Sequence, residues 1–251
     1  MQVVGYRPRV DAPAALVLAE SGVTTVEQLS PGTELTYSLG ERHCAGAVDG
    51  DTHHACGDDA APYCPEHTSR WPCARCRGDC GKPVDACDED HAVYLAAFAP
   101  ATAKVGVTRS WRLETRLREQ GADRAAHLRT VADGRIARQI EADIAADIGD
   151  QVRVPTKIAG LADTVEESFW TGLCAEYDTI TQFSFDYGLD LADRPMAETL
   201  ATGTVRGTKG RVLVLENNGS VYAVDLRDLV GYEVTGGGTD RDLQSSLGAF
   251  G

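Results

Sequence analysis

The chain has 251 residues, a formal net charge of −14 and 43% hydrophobic residues, which predicts a globular protein with at least one buried core. No run of about 18 apolar residues occurs, and the opening MQVVGYRPRV lacks the apolar core of a signal peptide, so we expect a cytoplasmic protein with no membrane partner. Asp outnumbers Glu by 23 to 15 and lysines number only four, which is typical of the acidic surface of a halophilic protein, the alternative being an acidic protein from a high-GC genome.

The first two segments differ sharply in composition. Residues 1–42 are predicted to form mainly strands and turns, because apolar runs such as 14–18 and the alternating segment 35–39 are typical of strands. Residues 43–91 are rich in Cys, Asp, Pro and Gly and show no apolar periodicity. A segment of this kind buries too little apolar surface to fold without a metal.

Seven of the eight cysteines lie between Cys44 and Cys87, which in a reducing cytoplasm indicates metal ligands rather than disulfides. Zinc takes four thiolate or imidazole donors in a tetrahedron, and a Cys-x2-Cys or Cys-x2-His turn directs two donors to one ion. The segments 64–67 and 73–76 both have this spacing. The eighth cysteine, Cys174, lies in an apolar segment, where we interpret it as a small buried side chain.

We therefore predict two structural zinc ions in closed four-donor sites. The simplest division assigns the first ion to Cys44, Cys56, Cys64 and His67 and the second to Cys73, Cys76, Cys80 and Cys87. An interleaved arrangement is equally compatible with the spacing, and Cys87 with His91 could supply a pair of donors. The histidines in reserve are His43, His53 and His54. An iron–sulfur cluster is the main alternative, although a histidine donor favours zinc.

Residues 92–150 are predicted to form a small α/β core. The apolar runs 93–96 and 103–107 predict a hairpin. A helix is expected from Ser110, as its cap, to about Gln120, with the next glycine as its C′ residue.

Further helices are expected on both sides of residue 150. Isoleucines at every fourth position from Ile136 to Ile148 predict a helix with one apolar face. The segment 151–200 is predicted to be helical, with a helix from about Thr164 to Ile180.

Residues 201–235 are predicted to form a C-terminal β module. The apolar runs 211–215 and 221–225 flank Asn217-Asn218-Gly219, and Asn-Gly between such runs is a strong hairpin signal. Residues 236–251 offer few anchoring side chains, so we expect a flexible tail.

Several spaced segments resemble a known family. The segments His91-Ala-Val-Tyr-Leu-Ala96, Lys104-Val-Gly-Val-Thr-Arg109, Thr115-Arg116 and Gln120-Gly-Ala122 resemble the core of the family called domain of unknown function 2797. Gly207–Val214 and Gly231–Val234 are similar to its C-terminal β segment, so the resemblance covers about residues 35–235.

The core of that family resembles a divergent GIY-YIG nuclease. The resemblance implies two strands that present a pair of tyrosines, a helix arginine that supports the scissile phosphate and a glutamate that holds a divalent ion. Matched residue by residue, it assigns these roles to Tyr94, Arg116 and Glu141, with Mg²⁺ as the ion at Glu141. Gly106 matches the glycine of the second motif, but Lys104 stands in place of the second tyrosine, which leaves enzyme activity open.

The predicted fold class is thus α+β, with a zinc-knuckle region, a small GIY-YIG-like strand–strand–helix core, additional helices and C-terminal β hairpins. Residues 104–138 contain nine basic and four acidic residues, which gives this segment a net charge of +5. We expect this basic segment to bind nucleic-acid phosphates through Lys104, Arg109, Arg112 and Arg116. The alternative is that these arginines pair with the surplus carboxylates.

Three functions remain open from the sequence. The first is a zinc-containing nucleic-acid-binding protein with a degenerate GIY-YIG-like core, with RNA favoured slightly over DNA because small zinc knuckles and β modules often serve RNA. The second is an active Mg-dependent endonuclease that uses Tyr94, Lys104, Arg116 and Glu141. The third is a protein–protein adaptor whose zinc sites only maintain its shape.

Overall fold

The structure is a computed structural model and describes residues 1–8, 12–68, 78 and 87–237. These residues form an α+β fold, which confirms the predicted class. The strands are β1 Gln2–Arg7, β2 Ala15–Glu20, β3 Val23–Gln28, β4 Glu34–Arg42, β5 Ala47–Asp49, β6 Thr52–His54, β7 His91–Phe98, β8 Thr102–Arg109, β9 Arg124–Val131, β10 Thr181–Ser184, β11 Met196–Ala197, β12 Ala201–Lys209, β13 Val212–Asn217, β14 Ser220–Asp225 and β15 Tyr232–Gly236. The helices are α1 Leu113–Gln120, α2 Gly134–Ile148, α3 Val154–Ala159, α4 Glu167–Glu176 and α5 Leu226–Leu229. In the described ranges, no helix has the length and apolar character needed to span a bilayer.

The larger sheet joins strands from both ends of the chain. Its order is β11-β14-β13-β12-β4-β15-β1-β2-β3-β6-β5, and β4 pairs antiparallel with both β12 and β15. Residues 1–42 and 201–235, which the sequence analysis treated as separate segments, therefore contribute strands to one sheet. They also share one core, in which Leu16, Leu35 and Leu213 are fully buried.

The hairpin predicted near the end of the chain is confirmed. Asn217 on β13 is paired with Ser220 on β14, so the loop has two residues. Both of these, Asn218 and Gly219, have positive φ angles of 50° and 75°. Positive φ at both loop positions is the requirement of a type I′ turn, which Asn-Gly meets at little steric cost.

The smaller sheet has the order β10-β9-β7-β8. The predicted hairpin is confirmed, because β7 pairs antiparallel with β8, and β7 also pairs with β9. Val93 and Leu95 pack in the cluster that contains side chains of α2 and α4. Tyr94 and Phe98 pack on the opposite face, with side chains of α1. Since helices cover both faces, β7 is buried along its length and has a continuous apolar sequence.

The helices predicted before and after β9 are confirmed, but Ser110 is not the cap of the first: the N-cap of α1 is Arg112, and the buried Ser110 Oγ atom has no hydrogen-bond partner among the described residues. A 3₁₀ turn at Ser110–Arg112 leads into α1, which ends at Gly121 with a left-handed φ of 69°. Three of the four regularly spaced isoleucines of α2 pack against the sheet, but Ile136 is 47% exposed. The first turn of α2 instead packs through Gly134 and Ala137, and Ala137 belongs to the same cluster as the three packed isoleucines.

The segment 151–200, predicted to be helical, contains the helices α3 and α4 but also the strands β10 and β11. The helix expected over 164–180 is shorter, since α4 occupies only Glu167–Glu176. The bounds of the six-residue helix α3 were not predicted, because it is too short to show an apolar period and Pro155 lies in its first turn. Of the predicted tail, residues 238–251 lie outside the described residues.

Candidate functional site

Four predicted zinc donors lie together. One donor atom from each of Cys44, Cys56, Cys64 and His67 lies within 4.8 Å of the others. The Nδ1 atom of His67 is 3.1 Å from the Sγ atom of Cys64 and 3.5 Å from that of Cys44. Donors around a tetrahedral zinc, with Zn–S near 2.3 Å and Zn–N near 2.0 Å, are separated by about 3.5–3.8 Å. The cluster could therefore hold a metal ion such as zinc.

Three separate pieces of backbone position these donors. Cys44 follows β4, and Cys56 follows β6. Cys64 and His67 lie in one tight turn, in which the N–H groups of His67 and Thr68 both donate to the Cys64 carbonyl, at 3.1 and 2.8 Å. The Cys-x2-His spacing produces this turn and directs two donors to one point, as predicted.

The surroundings of Cys44 favour a thiolate. Its side chain is fully buried, which opposes ionisation, but the backbone N–H groups of Cys64 and Gly46 donate to its Sγ atom at 3.2 and 3.4 Å. These donors outweigh burial and lower the pKa of the Cys44 thiol. Stabilised thiolates are the form in which cysteine binds zinc.

The histidines held in reserve do not join this cluster. The Nδ1 atom of His43 lies 3.0 Å from the Cys56 carbonyl, and its Nε2 atom lies 3.5 Å from Glu233. The Nε2 atom of His53 lies 2.9 Å from the Ala45 carbonyl. Both rings therefore contact the backbone that carries the donors rather than the donor atoms.

Of the four cysteines of the second predicted zinc site, Cys87 lies within the described residues. Cys73, Cys76 and Cys80 lie outside the described residues. Cys87 is half-buried and His91 begins β7, where its Nδ1 atom lies 2.6 Å from the Glu89 carbonyl. The ring of His91 also packs on Gly134 at the start of α2, so closely that a Cβ at Gly134 would lie 2.8 Å from it. The second site thus stays a prediction.

Tyr94 is fully buried beside a glycine that makes room for it. Tyr94 on β7 is paired with Gly106 on β8, and a Cβ at Gly106 would lie 2.5 Å from the ring and from the hydroxyl oxygen of Tyr94. Gln120, at the end of α1, donates from Nε2 to that hydroxyl at 2.5 Å. Burial raises the pKa of Tyr94, which Arg116 and Gln120 only partly oppose, so the phenol keeps its proton.

Lys104 and Arg116 lie close to this phenol. Lys104 is on the same face of β8 as Gly106, and its Nζ donates to the Asp150 carbonyl at 2.8 Å. Burial and the positive charge of Arg116 lower the pKa of Lys104 to about 8. The same Arg116 charge acts on Tyr94, so Arg116 lies within electrostatic range of both the buried phenol and Lys104.

Glu141 reaches the same region from α2. Its charge acts on both Tyr94 and Lys104 and raises both pKa values. The carboxylate pairs with Arg138 at 2.5 Å and is 12% exposed. Within the described part of the chain, the only group of three or more Cys, His, Asp or Glu donors placed to hold an ion is the Cys44 cluster. A magnesium ion at Glu141 would therefore rely on water and substrate oxygens.

The arginines predicted to contact nucleic acid are paired with carboxylates. Arg109 lies 3.0 Å from Glu89. Arg112 and Arg116 share Glu119, at 3.0 and 3.4 Å. The alternative interpretation, in which arginines pair with acidic residues, thus describes their contacts. One carboxylate for two arginines still leaves one positive charge over the 3₁₀ turn and α1 together.

Sequence reasoning missed two residues of this region. Lys157 on α3 donates from Nζ to the Gln120 carbonyl at 2.7 Å, and Trp111 in the 3₁₀ turn is 72% exposed. Lysine is rare in this chain, and this rarity could have indicated Lys157 as a candidate functional residue. For Trp111 the signal was its position between two arginines, where an aromatic ring can stack on a base.

The fold and the Cys44 cluster define an α+β protein with a Cys/His site that could hold a metal ion. Residues 65–186 match the model of a family described as "Protein of unknown function (DUF2797)". This match supports the family resemblance predicted from the sequence. No curated protein and no solved structure matches the chain.

Proposed function

We propose that this protein binds nucleic acid through phosphate contacts at Lys104 and Arg116. The observation that carries the proposal is the position of Lys104, which forms no ion pair within the described residues, donates only to the Asp150 carbonyl and lies within range of the positive charge of Arg116. Ammonium and guanidinium groups are both hydrogen-bond donors for phosphate oxygens. In a chain of net charge −14, such a group of donors is unlike the rest of the surface.

Trp111 supports a single-stranded ligand. It precedes α1, and the guanidinium of Arg112 lies 5.9 Å from the centre of its ring. An exposed indole costs free energy in water but stacks well on an unpaired base. RNA, whose recognised bases are commonly unpaired, is therefore favoured over duplex DNA.

The proposed zinc ions have a structural role. The first would tie the turn at 64–67 to the ends of β4 and β6, next to backbone hydrogen bonds that connect Cys44 with Asp58 and Ala45 with Pro62. A second zinc ion would bind to Cys73, Cys76, Cys80 and Cys87. Zinc sites with four protein donors stabilise the fold and leave no coordination position for a reactive water.

The test is binding of the zinc-loaded protein to a single-stranded RNA and to a DNA duplex across a salt series. Arg116→Ala should weaken RNA binding by about tenfold and reduce the salt slope by about one, because one charged contact is lost. Arg206→Ala is the matched control, since Arg206 is also 47% exposed and paired with a glutamate but lies on β12. Equal losses for the two variants, or no binding by the folded protein, would contradict the proposal.

A phosphodiester hydrolase is the second candidate, favoured by the shared electrostatic influence of Tyr94, Lys104, Arg116 and Glu141. Cleavage of the bound RNA on addition of Mg²⁺, lost in Glu141→Ala, would identify it. Binding without cleavage would support the binding protein. A folded, metal-loaded chain that binds no nucleic acid would instead favour the protein–protein adaptor.

A further inference from the structure

Lys157 extends the positively charged region beyond the residues that the sequence indicated. Its Nζ donates to the backbone carbonyl of Gln120 at 2.7 Å and lies 4.3 Å from the centre of the Phe98 ring. The side chain of the same Gln120 donates to the hydroxyl of Tyr94. Gln120 therefore contacts Lys157 through its backbone and Tyr94 through its side chain.

The charged groups that act most strongly on Lys157 are all positive. They come from β8, α1, β12 and the turn before β13, and are Lys104, Arg116, Lys209 and Arg211. Lys209 pairs with Asp123 at 2.6 Å and Arg211 with Asp225 at 2.7 Å, while Arg116 shares the single carboxylate of Glu119 with Arg112. Lys157 itself, like Lys104, forms no ion pair within the described residues.

A charged lysine without an ion-pair partner in such surroundings lowers the free energy of unfolding. Burial and the neighbouring positive charges lower the pKa of Lys157 to about 7. A chain with 38 acidic residues could place a carboxylate beside this ammonium group, as it does for Lys209 and Arg211. An external anion would supply the missing negative charge.

We propose that Lys157 binds a phosphate group and completes a three-cation site with Lys104 and Arg116. The site lies where the two sheets meet, since the backbone of Gly210, after β12, touches that of Gly121, after α1. The inference rests on the proposed function in taking Lys104 and Arg116 as phosphate ligands. It adds a ligand from α3 and defines the ligand as a tetrahedral oxyanion that accepts several ammonium and guanidinium hydrogen bonds.

Sulfate is a suitable probe because it stays a dianion throughout the pH range in which the lysines titrate. Calorimetric titration of the zinc-loaded full chain at pH 6.5 should give a Kd for sulfate about tenfold higher for Lys157→Met than for wild type. Wild-type affinity should fall from about pH 6 to pH 9, as Lys157 and then Lys104 lose their protons. Lys157→Arg should lose less affinity over this range, because its guanidinium stays charged.

Equal sulfate affinity of wild type and Lys157→Met would overturn the inference and leave Lys157 as a cap for the end of α1. Should Lys157→Met fail to fold, the pH profiles of wild type and Lys157→Arg decide, and identical profiles would overturn it. Sulfate binding that depends on Lys157, in a protein that binds no RNA, would support the anion site while refuting the nucleic-acid function. The two proposals can therefore fail separately.

Discussion

Cys64→Ser is expected to remove about one zinc ion per chain and to lower the Tm of the protein by about 10 °C. Its Sγ atom lies 3.1 Å from Nδ1 of His67, so its loss leaves three donors where zinc needs four. At a free zinc concentration of about 1,000 times Kd, binding adds about 4 kcal/mol, and each kcal/mol corresponds to about 2–4 °C in a chain of this size. Metal analysis and a thermal melt of the same samples measure both effects.

Cys174→Ser is the matched control for this experiment. Cys174 is a half-buried cysteine on α4 and takes no part in the Cys44 cluster. It should keep the full zinc content, and a chelator should lower its Tm as it lowers that of wild type. Unchanged zinc content in Cys64→Ser would show that the cluster does not hold the ion. A wild-type content of one ion instead of two would remove the proposed second site.

Gly106→Ala should destabilise the protein by about 3 kcal/mol, a large effect for one methyl group. The added Cβ would lie 2.5 Å from the ring of Tyr94, and this ring is only 1% exposed in a packed cluster, so it cannot move aside freely. Overpacking of a core costs about 1–3 kcal/mol and occasionally more. Urea unfolding followed by circular dichroism gives the free energy of unfolding.

The double variant Gly106→Ala/Tyr94→Ala separates this clash from a general weakness of β8. Tyr94→Ala alone should cost about 3–5 kcal/mol through the cavity it leaves. In the double variant the alanine methyl group meets no ring, so the combined cost should be lower than the sum by at least about 1 kcal/mol. Strictly additive costs would show that Gly106 is needed for its backbone and not for the space it leaves to Tyr94.

The Cys44 cluster, which could hold a metal ion, was predictable from the sequence because its chemistry is local. Cys64 and His67 lie in one turn, and a tight turn of that spacing leaves its two donors on the same side of the backbone. The choice of Cys44 and Cys56 as their partners followed from position in the chain, and the structure brings these four donors together. The helix ending at Gly121 and the Asn218-Gly219 turn were predictable for a similar reason, since each depends on one or two backbone angles.

The arrangement around Tyr94 required the tertiary structure. Lys157 lies 37 residues from Gln120 in sequence, and no short-range pattern relates the ammonium group of one to the carbonyl of the other. Likewise, β4 pairs with strands that begin more than 150 residues later. This pairing satisfies the backbone hydrogen-bonding groups on both edges of β4. By itself the sequence determined local turns, the periodicity of helices and strands and the clustering of metal donors. The positions of α1, α2 and α3 against the sheets, which depend on contacts distant in sequence, decided which charged side chains act on Tyr94 and Lys104.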